Sequence, residues 1–114
     1  MTQTLKLAED LFDQLLLGEK HSTIRVGKRD IVPGPILFES AEVGRMTNSV
    51  VEDVYTKKVG DLHIMEARDE GYETVDQLVQ VLRRFYPDLT DETDITVVLL
   101  ELPYGRVHGA AAQA

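Results

Sequence analysis

Lys20, Thr23 and Arg25, in the stretch Gly18-Glu-Lys-His-Ser-Thr-Ile-Arg25, are the residues of this 114-residue chain whose types and spacing could do chemistry. A threonine hydroxyl is a poor nucleophile until a neighbouring base takes its proton. A lysine that is partly desolvated, or set beside another cation, can act as that base. Arg25 would supply the neighbouring positive charge. A carboxylate from elsewhere would complete the set by orienting the amine or by protonating a leaving nitrogen. Acyl transfer or amide hydrolysis is the reaction class that such a group suits. On spacing alone, Lys, Thr and Arg around a turn read most simply as solvated surface, so the elements that would position them decide the matter.

Gly18 is placed to end a helix over residues 6–17, where Leu7, Leu11, Phe12 and Leu15 recur at helical spacing. Thr23 to Val26 then reads as a strand, with Lys20 in the connecting turn. Alternation along that strand sends Ile24 and Val26 to the core and leaves Thr23 and Arg25 sharing the other side, toward solvent or a cleft. Further strands are expected over Ile36-Leu37-Phe38, over residues 48–59 and over residues 95–102, all rich in β-branched residues, with Pro103 ending the last. Residues 61–69 look helical with Asp61 as a candidate N-cap. Thr74-Val-Asp-Gln is a capping box that opens a second helix, whose core stripe is Leu78, Val81, Leu82 and Phe85 and which Pro87 stops. This order, with helices grouped and strands grouped, excludes a regular βαβ alternation. It points to an α+β domain with a mixed, largely antiparallel sheet or small barrel. One domain over residues 1–104 is expected, with residues 105–114 as a frayed tail.

Composition narrows the function classes. Without cysteine, thiolate chemistry, disulfides and thiolate metal sites are excluded. His21, His63 and His108 have no ligand-like spacing, Glu66 and Glu70 at i, i+4 read as a solvated acidic face, and no phosphate loop occurs. No metal and no cofactor is therefore expected. Twelve basic against twenty acidic residues give a net charge of -8, which disfavours tight, sequence-independent binding of long nucleic acids. Lys20, Arg25, Lys28 and Arg29 nevertheless cluster, a local positive site that suits a small anionic or polar ligand. Tyr72 and Tyr86 could stack on a base, though such residues more commonly edge a core. The N-terminus has no signal-peptide pattern and no segment is long and apolar enough to span a membrane, so a cytoplasmic location is expected.

Gly18-x-Lys20-x-x-Thr23-x-Arg25 resembles the signature of the ASCH domain, a PUA-like β-barrel, whose common form is Gly-x-Lys-x-x-Glu-x-Arg. Thr23 stands at the Glu position, and in this the segment is similar to small bacterial ASCH proteins of the YqfB type, which read Lys-x-x-Thr-Ile-Arg. The resemblance extends over roughly Leu7 to Leu102. It implies a small PUA-like barrel with flanking helices and an amidohydrolase that removes the acetyl group from N4-acetylcytidine. By position it implies Lys20, Thr23 and a glutamate as catalytic residues. Glu70 matches that glutamate best, and Glu66 is the fallback. Arg25 would stabilise the oxyanion or hold the pyrimidine carbonyl. Two features depart from the family: Gly34-Pro35 replaces a usual Gly-Asp, and the loop after Arg25 is short and basic. A nucleoside is the expected partner. The alternative is an RNA-binding PUA-like module or a ribonuclease.

Overall fold

The β-branched runs pair into one sheet. A computed structural model describes residues 3–101 of the chain. Strands β1 (Gln3–Leu7), β2 (Ser22–Val26), β3 (Gly34–Ser40), β4 (Met46–Lys58) and β5 (Asp94–Leu100) form a five-stranded sheet in the order β1-β3-β4-β5-β2. Only β1 and β3 run parallel; the other pairs are antiparallel, with Thr23 opposite Val98 and Val97 opposite both Ile24 and Tyr55. The sheet curls into a half-barrel with three helices against it, the α+β, PUA-like architecture. Its two free edges are β1 and β2, and the Arg25 guanidinium spans the gap between them by donating from Nη2 to the Lys6 carbonyl at 2.6 Å.

Both faces of the sheet are covered. On one, Ile24, Ile95 and Val97 pack with Ala67 of α2 (Ile64–Asp69) and with Leu78 and Leu82 of α3 (Val75–Phe85). On the other, Ile36, Phe38, Val51 and Val98 pack around Phe12 of α1 (Glu9–Leu16). The consecutive Val97 and Val98 thus serve opposite faces, which is why β5 is apolar throughout instead of alternating. Each large side chain buried this way stabilises the fold by about 1.5–3 kcal/mol.

The helix expected over residues 6–17 is two elements. Gln3–Leu7 is a strand with alternating burial ending on buried Leu7, and α1 begins at Glu9. A five-residue strand abutting an amphipathic helix lends Leu7 to either periodicity, and its pairing with β3 decides. The helix expected from Asp61 starts later. Residues Val59–Asp61 form a separate 3-10 turn, held by Val59 N–H to Thr93 C=O at 3.0 Å and Gly60 N–H to Asp91 C=O at 2.9 Å. The N-cap of α2 is His63, not Asp61: its Nδ1 accepts from Met65 N–H at 3.1 Å while Glu66 accepts from His63 N–H at 2.8 Å. The Thr74–Gln77 capping box opens α3 as its sequence demands. In the α3 stripe Leu78 and Leu82 are core, but Val81 is half-buried and Phe85 is 43% exposed. Among the described residues no helix is long and apolar enough to cross a membrane. The expected tail, residues 105–114, and Pro103 lie outside the described residues.

Candidate functional site

The segment that carries Lys20 is fixed from both ends. After α1, Gly18 N–H bonds Leu15 C=O at 3.2 Å and Glu19 N–H bonds Gln14 C=O at 2.9 Å, with Gly18 at φ 77°. This is a Schellman ending, and it turns the chain back toward the sheet. His21 then gives its N–H to Asp69 C=O at 2.6 Å and accepts at its own C=O from Leu100 N–H at 2.9 Å, which stitches the turn to the end of α2 and to β5.

The same stitch delivers Glu70. Beyond α2 the chain reverses at Gly71, φ 95°, where a Cβ would lie 2.8 Å from the Glu19 carbonyl oxygen. Only glycine permits so close a passage of the two backbones. Glu70, the C-cap of α2, is thereby laid over Lys20, and its Oε1 accepts from Lys20 Nζ at 2.6 Å. The other carboxylate oxygen, Oε2, accepts a short hydrogen bond from the Ser22 hydroxyl. Lys20, Ser22, Thr23 and Glu70 are all at least 95% buried, with exposures of 3%, 1%, 2% and 4%. A buried charge of either sign needs a partner, and here each charge has one.

Thr23 enters the same space from β2. It borders, with Lys20, Arg25 and Glu70, a half-open cavity of about 240 Å³ that Leu7 and Leu11 and, from the α3 side, Leu82, Phe85 and Tyr86 also line. Among the described residues its hydroxyl has no hydrogen-bond partner. A hydroxyl on a cavity wall with no protein partner among the described residues is available to a bound molecule. Burial also pushes the guanidinium of Arg25 down from its ordinary pKa, with nearby Arg29 adding to that effect. Burial raises the pKa of the Tyr72 phenol, another wall residue. A larger hollow of about 450 Å³ lies on the other side of Lys20, but neither Thr23 nor Glu70 borders it.

Glu66 occupies a different environment. Lys57 Nζ meets its two oxygens at 2.8 and 3.0 Å, the Tyr55 hydroxyl donates at 2.7 Å, and His63 N–H completes the set. Burial would raise this carboxyl, yet the hydrogen bonds from Lys57, Tyr55 and His63 outweigh it and hold the pKa below its ordinary value. Glu66 therefore anchors the start of α2 to β4. Glu66 and Glu70 are not the solvated acidic face that their i, i+4 spacing suggests: each is buried against its own lysine. The basic cluster also divides, because Lys20 turns inward to Glu70 while Lys28 and Arg29 stay exposed.

Ser22 is the member of the group that the sequence reading passes over. Its signal lies in strand alternation, which sets Ser22 on the same side as Ile24 and Val26. A hydroxyl on that apolar face requires an acceptor. Glu70 supplies it. Among the described residues no three His, Asp or Glu side chains gather in a way that could hold a metal ion.

The chain matches no protein-family model and no curated protein. Solved structures do resemble it. A protein of the DUF984 family from Enterococcus faecalis superposes with a TM-score of 0.74 at 11% identity, covering 90% of this chain and 76% of that one. An ASCH domain from Lactobacillus crispatus gives 0.69 at 12% identity, with 89% and 79% covered. An ASCH protein from Zymomonas mobilis gives 0.64 at 14%, with 86% of this chain and 66% of that one. At such identities the likeness establishes the fold: this chain has the fold of ASCH domains.

Proposed function

We propose that this chain is an ASCH-type amidohydrolase that removes the acetyl group from N4-acetylcytidine or a related acylated pyrimidine nucleoside. The observation that carries the reading is the buried Lys20–Glu70 contact of 2.6 Å in the wall of a cavity that Thr23 also borders, its hydroxyl without a partner among the described residues. Residues suited to act as nucleophile, base and proton donor thus border one small space, and the sequence pattern around them resembles that of the YqfB-type ASCH proteins.

In the proposed reaction Lys20 is the base of the pair and Glu70 the acid. Lys20 takes the proton of the Thr23 hydroxyl as Oγ bonds to the acetyl carbon and the carbonyl π pair moves onto oxygen. The C–N bond then breaks, and Glu70 gives its proton to the departing N4, which leaves as cytidine. Lys20 returns the Thr23 proton to Glu70. Water then adds to the ester carbon as Lys20 takes one of its protons, the bond to Thr23 Oγ breaks as Lys20 returns that proton to the hydroxyl, and acetic acid leaves and gives its remaining proton to solvent. Ser22 holds the second Glu70 oxygen and so fixes which oxygen faces Lys20. No metal or cofactor takes part in this sequence. A space of about 240 Å³ suits a base with a small acyl group better than a polymer, and a net charge of -8 disfavours RNA. The cytoplasm is where we place this reaction.

Incubation of the purified protein with N4-acetylcytidine, followed by chromatography, tests the reading. Release of cytidine, little changed between low and high salt, is expected. No release, together with RNA binding that weakens steeply as salt rises, would replace the amidohydrolase by an RNA-binding module.

A further inference from the structure

The register of β2 determines which of its main-chain groups are spent on the sheet. His21 C=O accepts from Leu100 N–H at 2.9 Å and Gly27 N–H donates to Asp94 C=O at 2.7 Å. In an antiparallel ladder hydrogen-bonded and non-hydrogen-bonded positions alternate. Thr23 and Arg25, opposite Val98 and Thr96, therefore point their N–H and C=O at β5, and Ile24 between them points its own pair the other way. That way is open, because β2 ends the sheet.

The cavity borders Thr23, Ile24 and Arg25 in succession. Successive side chains of a strand point to opposite faces, so a hollow that touches all three lies along the strand's edge, where the Ile24 N–H emerges. Arg25 gives Nη2 to the Lys6 carbonyl at 2.6 Å and braces the two free edges of the half-barrel, which commits part of its fork of five donors. The Ile24 N–H is one peptide unit beyond the Thr23 side chain. It is fixed by the ladder on either side of it.

We propose that the main-chain N–H of Ile24 is the oxyanion donor of this site. The inference rests on the acyl-transfer reading above and adds the group that receives the charge. As Thr23 Oγ bonds to the acyl carbon, the carbonyl π pair moves onto oxygen and Ile24 N–H donates a hydrogen bond to it. As the C–N bond breaks, the pair returns and the carbonyl re-forms. A donor already held in place by the sheet needs no reorganisation during the reaction, which is the origin of such stabilisation.

Replacing the Thr23–Ile24 amide by an ester, with the Ile24 side chain retained, removes this one donor. The same replacement at Val26 is the control, because its N–H also faces away from β5 but Val26 does not border the cavity. With N4-acetylcytidine as substrate, the Ile24 ester should lower kcat by about 10²- to 10³-fold with KM little changed. The Val26 ester should stay near wild type. Amide NMR of the wild-type protein gives a readout independent of variant folding: a phosphonamidate analogue of the substrate should shift the Ile24 amide proton downfield more than those of Ser22 and Val26. An unshifted Ile24 amide, or an Ile24 ester with unchanged kcat in an active enzyme, overturns the assignment. A raised KM at constant kcat also overturns it, since the N–H would then bind the ground state. A wild-type protein that releases no cytidine overturns the amidohydrolase reading itself.

Discussion

Removing one member of the Lys20–Glu70 pair should be worse for the fold than removing both. At 2.6 Å, and with an effective dielectric of about 20, the attraction between the two charges is about 6 kcal/mol. Taking the two ions out of water costs several kcal/mol each, so the intact pair contributes little net stability. Lys20→Met leaves the Glu70 carboxylate buried with only the Ser22 hydroxyl, and Glu70→Leu leaves an ammonium that is 3% exposed among apolar walls. Each single change should cost about 3 kcal/mol, at the low end of the range for orphaned buried charges. For a domain of this size that lowers Tm by roughly 12 °C at about 4 °C per kcal/mol. The double variant Lys20→Met/Glu70→Leu leaves only a hydroxyl without an acceptor and should be less destabilised than either single. The chain has no tryptophan, so urea unfolding is best followed by far-ultraviolet circular dichroism, with a constant m-value as the check on two-state behaviour. If the double variant loses the sum of the two single costs, the electrostatic reasoning is refuted.

Gly71→Ala should destabilise the protein by at least about 1–2 kcal/mol, since φ is 95° and the new Cβ would lie 2.8 Å from the Glu19 carbonyl oxygen. Displacing that crossing should also separate Glu70 from Lys20, so thermal melts and turnover should fall together; wild-type values of both would show that the close approach is dispensable. The acid limb of stability offers another check. Glu9 is held at a pKa of about 2, first by the Val43 N–H and then by Glu42 N–H and Arg45, against an ordinary value of 4.5. Because the folded value is the depressed one, the stabilisation is present above about pH 4.5 and is lost as the pH falls toward 2. Glu9→Gln should flatten that part of the profile of Tm against pH, and an unaltered slope would remove Glu9 from the account.

Local rules carried much of the fold. The Thr74–Gln77 capping box, the glycine ending at Gly18 and the β-branched runs of β4 and β5 each obey a rule that acts over a few residues, and they stand where those rules put them. β1 was hidden because five residues of alternating burial run straight into an amphipathic helix, and only pairing with β3 separates them. The late start of α2 depends on Thr93 and Asp91, thirty or so residues downstream, which no local pattern announces. The candidate site divides along the same line. Thr23 and Arg25 share a strand and their common face follows from alternation. That Glu70 meets Lys20, 50 residues away, depends on a glycine crossing a carbonyl, and that Ser22 joins them depends on which face of β2 α2 covers.

Thr23→Val bears most directly on the central claim, because it deletes a hydroxyl that has no partner among the described residues and leaves the shape of β2 intact. Stability should be within about 0.5 kcal/mol of wild type. Turnover of N4-acetylcytidine should drop at least about 100-fold, the loss expected when an acyl-transfer site lacks its nucleophile. A Thr23→Val protein that folds normally and releases cytidine at the wild-type rate would contradict the account.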